Sequence, residues 1–192
     1  MVATQTTRPL RADARRNRDA ILGAAISIFE TDGIYAPIDG IATAAGVGNA
    51  TLYRNFPTRN DLLAAVIETT IAELLSDSEE LMRGMPADDA LREWLRRLAW
   101  QLRIWNDLPT CIATSIDDTG SPVQSVATRL TARTAEFLDR AREDGSARDA
   151  VTADELFELV TAISWGIDRF GDDRERACRR VALATAGVFE KP

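Results

Sequence analysis

Between Pro37 and Pro57 the chain has room for two helices of about two turns each, and for nothing longer. A proline is tolerated at the start of a helix but stops one that runs into it, so both ends of the stretch are fixed. Gly46-Val47-Gly48 breaks it in the middle. Helices this short are not stable alone in water, so a neighbour must hold them through the few apolar residues they carry. Those residues are Ile38, Ile41, Ala42 and Ala45 before the turn, and Leu52 and Phe56 after it. A chain with this segment is committed to a small helical cluster in which a longer helix supplies the holding surface.

A longer helix precedes the stretch. Ile21, Leu22, Ala25, Ile28 and Phe29 recur at helical spacing within residues 14–32, and Gly33 stops them. After Pro57, Thr58 with Asp61 three residues later reads as a capping-box-like start. The long fourth helix that follows carries Leu62, Leu63, Val66, Ile67, Ile71, Leu74 and Leu75. Residues 88–106 set Leu91, Trp94, Leu95, Leu98, Leu102 and Trp105 on one face, with Trp100 and Ile104 opposite. A short helix is expected in "LPTCIATSIDDTGSP", and three more over 122–143, 153–170 and 173–190. No segment alternates with period two for the length of a strand, so the expected fold class is all-α.

Composition removes several functions. The 192 residues are 45% hydrophobic and 28% charged, as in an ordinary soluble globular protein. No apolar run approaches a membrane span, and nothing after the basic N-terminus resembles a signal peptide, so the expectation is a cytoplasmic protein with no membrane partner. Without histidine there is no Ser-His or Cys-His pair and no imidazole metal ligand. There is also no Gly-rich phosphate loop, so no enzyme, cofactor or metal site is expected. Cys111 and Cys178 lie far apart in no metal-like spacing and read as buried free thiols.

The net charge of −7 is unevenly spread. Residues 1–70 carry seven Arg against seven Asp and Glu, while residues 71–192 carry 16 Lys and Arg against 23 Asp and Glu. Arg8, Arg11, Arg15, Arg16 and Arg18 form a basic cluster diluted only by Asp13. That cluster is either a solvated helix start with a disordered arm, or an arm that reaches phosphates or the minor groove. The asymmetry points to two lobes with different partners.

Two short helices joined by a glycine-containing turn, packed on the helix before them, make a helix-turn-helix. In that arrangement the second helix enters the major groove with its N-terminal residues against base edges. Gly48 and Ala50 let the backbone come close, and Asn49 and Thr51 can offer hydrogen bonds. Tyr53, Arg54 and Asn55 fall on the outer face, within reach of phosphates or bases, while Leu52 and Phe56 anchor the helix.

Ile41-Ala42, Ala45-Gly46-Val47, Thr51-Leu52-Tyr53, Phe56-Pro57 and Leu62-Leu63 together resemble the tetracycline-repressor (TetR) family of bacterial transcriptional regulators, over roughly residues 16–68. The resemblance implies a helix-turn-helix DNA-binding domain over 16–57, a linking helix over 58–83, and a C-terminal effector-binding and dimerisation domain over 84–192; the basic residues ahead of these are expected to form a flexible arm over 1–15. It also implies a repressor that a small, largely apolar effector releases from palindromic double-stranded operator DNA. Carried onto this chain, Thr51 and Tyr53 match phosphate-contacting positions, and Arg59 matches a basic residue that often joins them. Asn49, Ala50 and Arg54 fall where base contacts are common, and Thr43, late in the second helix, is a further candidate. The chain departs from the family pattern at Gly48, where Ser is frequent, at Asn49, where Lys is, and at Asn55, where His is usual. These changes bear on the operator sequence.

In the C-terminal lobe, two-sided apolarity over 88–106 fits a helix beside an internal cavity and fits a central buried helix equally. On the first reading Trp100 and Ile104 line an effector pocket, with Met82, Trp105, Cys111, Phe137 and Trp165 as further candidates. On the last helix, Ala177, Val181, Ala184 and Val188 form a row of small residues that permits close helix approach. In the family the last two helices pair with their copies, which implies a homodimer through this row; packing within the chain is the alternative. Two rival functions are a helical regulator without an effector and a protein-interaction module.

Overall fold

The computed structural model describes residues 7–103 and 122–189. Among these the chain forms α1 (Thr7–Asp32), α2 (Ile38–Ala44), α3 (Asn49–Asn55), α4 (Arg59–Gly84), α5 (Ala87–Leu102), α6 (Pro122–Glu143), α7 (Ala153–Arg169) and α8 (Arg174–Ala184), then a 3-10 turn at Ala186–Val188. The fold is all-α, and the one strand-like feature among the described residues is an isolated antiparallel bridge between Ala147 and Phe189. The short helix expected at 108–122 lies mostly outside the described residues.

Two compact units divide the chain, residues 1–66 and 67–192, and α4 belongs in part to each. The first unit thus ends at Val66 rather than at Pro57, because Leu62 and Val66 in the opening turns of α4 are wholly buried. Its core is Ile21, Ala25 and Phe29 of α1, Ile41 and Ala42 of α2, and Leu52, Phe56, Leu62 and Val66. Helix α1 begins at Thr7, so residues 7–15 of the expected flexible arm are helical. Alanine, leucine and arginine are strong helix formers, and Pro9 falls in the first turn, where its missing N–H costs nothing. Arg16 pairs with Asp13, and Arg15 with Asp19 at 4.0 Å, one turn apart on the same helix.

In the second unit α5 is central and packs against α6, α7 and α8. Leu91, Trp94, Leu95, Leu98 and Leu102 are all buried, and so are Ala87 on the same face and Ala90 and Ala99 at its two edges. Trp94 stacks on Phe137 with ring centroids 5.2 Å apart. Its indole N–H donates to Thr134 Oγ1 at 3.0 Å, and that hydroxyl donates to the Leu130 carbonyl at 2.8 Å, so a large aromatic is buried with its polar atom satisfied. Helix α7 opens with a capping box in which Thr152 and Glu155 satisfy each other's backbone N–H groups. At the α7–α8 corner, buried Asp172 accepts from Arg180 Nε at 2.7 Å and faces Arg176 Nε at 3.5 Å. The Arg180 bond, with help from both guanidinium charges and against the effect of burial, holds the Asp172 carboxyl below its ordinary range.

Candidate nucleic-acid interface

Helix α2 ends because Gly46 adopts φ +67, a left-handed conformation that glycine takes without strain. Val47 N then donates to the Ala42 carbonyl at 3.0 Å and Gly46 N to Thr43 at 3.1 Å, the two bonds of a Schellman ending. Two residues after Gly46, Gly48 occupies the N-cap of α3, its carbonyl accepting from Thr51 N at 2.8 Å. A Cβ added to Gly48 would meet nothing within 4 Å, so packing within the chain does not require glycine there. No side chain caps α3, so Leu52 and Phe56, at 1% and 2% exposure, provide its attachment to the unit. The Arg18 guanidinium lies 4.4 Å from the centre of the Phe56 ring.

With Leu52 inward, α3 leaves Asn49, Ala50, Tyr53 and Arg54 exposed and Thr51 half-buried. Arg54 lies back along its helix, donating through Nε to the Ala50 carbonyl at 3.2 Å and through Nη2 to Thr51 Oγ1 at 3.0 Å. Asn55 differs from the outward placement read from sequence. It is half-buried, and its amide donates to the Thr51 carbonyl at 2.8 Å, because a short amide reaches the carbonyl one turn back. Arg59 is also engaged within the chain, Nη1 donating to the Ile34 carbonyl at 2.8 Å. Thr43 Oγ1 donates to the Asp39 carbonyl at 3.0 Å, and Asn49 Nδ2 to Asp39 Oδ1 at 2.8 Å. Asp39 and the exposed Tyr35 are absent from the sequence-derived set. Asp39 was within reach of sequence reasoning only as a neighbour of Thr43 at i,i+4; its bond to Asn49 crosses ten residues and depends on the turn.

The effector candidates fall in different surroundings. Phe137 is core, 1% exposed against Trp94, whereas Trp165 on α7 is 50% exposed. Met82 is half-buried, and so is Trp100, with the guanidinium groups of Arg103 and Arg174 at 3.5 and 5.3 Å from its ring centre. Ile104, Trp105 and Cys111 lie outside the described residues. Of the small-residue row, Ala177, Val181 and Val188 are buried within their own chain, and Ala184 is exposed. Small side chains let α8 close onto α5 and α7, which uses up that face. The large apolar residues left exposed on α7, on α8 and at the corner joining them are Leu159, Trp165, Phe170 and Leu183. No described helix is long and apolar enough to cross a membrane.

Residues 21–66 match the family model described as bacterial regulatory proteins, tetR family, and residues 86–189 match that of the transcriptional regulator SbtR-like C-terminal domain. The chain belongs to the TetR family. It is therefore a DNA-binding transcriptional regulator, and members of this family are not enzymes. No curated protein matches it. Among solved structures it is similar to the TetR transcriptional regulator SCO0520 of Streptomyces coelicolor, at 29% identity and a TM-score of 0.70, over 91% of this chain and 99% of that one. It is also similar to a TetR regulatory protein of Mycobacterium vanbaalenii, at 27% identity and a TM-score of 0.61, over 95% and 100% of the two chains. A gamma-butyrolactone receptor described as ArpA-like, at 21% identity and a TM-score of 0.63 over 92% and 90%, shares the fold. For this TetR-family chain, α2 and α3 form the helix-turn-helix of the N-terminal domain.

Proposed function

We propose that the protein acts as a homodimer that grips a palindromic operator and lets go when a small, largely apolar molecule binds within residues 67–192. The carrying observation is α3 itself, a two-turn helix anchored by Leu52 and Phe56 that turns Asn49, Ala50, Tyr53 and Arg54 to the solvent. Tyr53, Thr51 and Arg59 are assigned to phosphates, and Asn49, Ala50 and Arg54 to the groove, with Thr43 beside them. Arg54 must swing off its own helix to take that role.

Dimerisation is assigned to the outward face of α7 and α8, through Leu159, Trp165 and Leu183. Covering these apolar side chains with a second copy stabilises the pair by roughly 25 cal/mol per Å² removed from water. The effector is assigned to the surroundings of Met82, Trp100, Ile104, Trp105 and Cys111. Helix α4 runs without a break from the DNA-binding unit into the effector unit. Half-sites lie about one helical turn, or a multiple, apart, so a change in the spacing of two α3 helices lowers affinity. By linkage, the operator must then weaken the effector by the same factor.

Selection from random duplex DNA tests the whole reading: the protein should recover a two-fold symmetric site. Leu183→Glu should give a monomer with intact helicity and lost operator affinity. Recovery of no sequence refutes the regulator, while a Leu183→Glu protein that remains dimeric refutes the interface. An effector found by thermal shift that leaves operator affinity unchanged refutes the release mechanism.

A further inference from the structure

Asp39 is a carboxylate on the face where DNA is expected to lie. It sits in the first turn of α2 and is exposed. A negative charge there opposes binding to any polyanion, whatever its sequence. What it can contribute is discrimination, by penalising the wrong partner.

The geometry shows how. Asn49, the first residue of α3, donates from Nδ2 to Asp39 Oδ1 at 2.8 Å. The two arms of an asparagine amide are alike in shape, but a carboxylate only accepts, so the nitrogen arm must be the one turned to Asp39. The oxygen arm is then the one left for an outside partner. Thr43 spends its hydroxyl hydrogen on the Asp39 carbonyl at 3.0 Å, so its oxygen also offers a lone pair. Asp39 has its second carboxylate oxygen besides. Three side chains spread over α2 and α3 therefore present acceptors and call for a donor. In the major groove adenine offers N6–H beside its N7, and cytosine N4–H, while at the corresponding edge positions guanine and thymine carry the acceptors O6 and O4, which a carboxylate repels.

We propose that Asp39, acting through Asn49, makes the protein require an amino base, adenine or cytosine, at one position of each half-site; the inference rests on α3 being the DNA-reading helix. Asp39 is a specificity-determining and positioning residue, and Asn49 makes the contact.

The test compares the full-length parent with Asp39→Ala, Asp39→Asn and Asn49→Ala. Each undergoes selection from random duplexes, then competition with duplexes changed from amino to keto base at one symmetric pair of positions. The parent should prefer the amino base by at least about fivefold, the low end of what one base-edge contact discriminates. Asp39→Ala should lose most of that preference, with affinity for scrambled duplex unchanged or raised. Asn49→Ala should flatten the same position, and the double variant should be no flatter than either single one. Asp39→Asn supplies an amide that can donate to the Asn49 oxygen, which turns the Asn49 N–H outward and should move the preference toward the keto base.

A parent preference for a keto base at the position Asn49 reads overturns the inference. So does an Asp39→Ala profile within twofold of the parent, or one altered at a different position from Asn49→Ala. Equal weakening of all duplexes by Asp39→Ala, together with a lowered melting temperature, overturns it as well, because that is a folding effect. A parent that selects no sequence at all overturns the function reading, a result distinct from each of these.

Discussion

Leu52→Ala should separate the two units of the protein. Leu52 is 1% exposed, and with Phe56 it forms the apolar anchor of a seven-residue helix whose N-cap makes no side-chain hydrogen bond. Truncating a fully buried leucine costs the transfer of three carbons plus the cavity they leave, about 2–5 kcal/mol in all. The unit that bears this loss has 66 residues. At about 0.05–0.15 kcal/mol per residue its total stability is roughly 3–10 kcal/mol, so the substitution removes a large part of it. The tryptophans make the effect readable. Trp94, Trp100, Trp105 and Trp165 all lie beyond residue 66, so their fluorescence follows the second unit, while far-ultraviolet circular dichroism follows both. The variant should show a new early transition by circular dichroism with the fluorescence transition in place, and at least about a tenfold loss of operator affinity, equivalent to about 1.4 kcal/mol. Two signals that move down together by the same amount, or unchanged operator affinity, would refute the argument that Leu52 is a principal local anchor of α3.

Two further outcomes follow from the charged residues. Arg59→Ala should lower the slope of log affinity against log salt by about one if a guanidinium contacts phosphate, and leave it unchanged if the residue serves only as a brace to the Ile34 carbonyl. Asp172→Asn should lower the fluorescence-monitored melting temperature near neutral pH. The Asp172 carboxyl is held below its ordinary value of 3.8, so its stabilisation is complete above that value and is lost as pH falls through the lowered one. The gap between parent and variant should therefore narrow in acid below about pH 4. A gap of constant size down to about pH 2 would show that the lost hydrogen-bond geometry, and not the charge, is responsible.

The helices, the helix-turn-helix and the family pattern were legible in the chain because each is written within a few residues. Gly46 ends α2 by its left-handed φ, and Thr58 and Asp61 bond to each other across the first turn of α4 as their spacing indicates. The early start of α1 was harder to read, since residues 7–15 carry helix propensity without an apolar stripe to mark it. Other features depended on what came to lie opposite. Four tryptophans of one composition meet different fates: Trp94 is sealed against Phe137, Trp100 is half-buried, Trp165 is half exposed, and Trp105 lies outside the described residues. The row Ala177, Val181 and Val188 suits a partner subunit and its own α5 and α7 equally well by sequence, and in the fold these three side chains are buried within the chain. Asn49 meets Asp39 only because the four-residue turn over 45–48 folds α3 back beside the start of α2. Periodicity and capping are local, so one strand of text carries them; the partner of a side chain ten or forty residues away is set by packing of the whole unit, where similar sequences of small or polar residues can satisfy more than one neighbour.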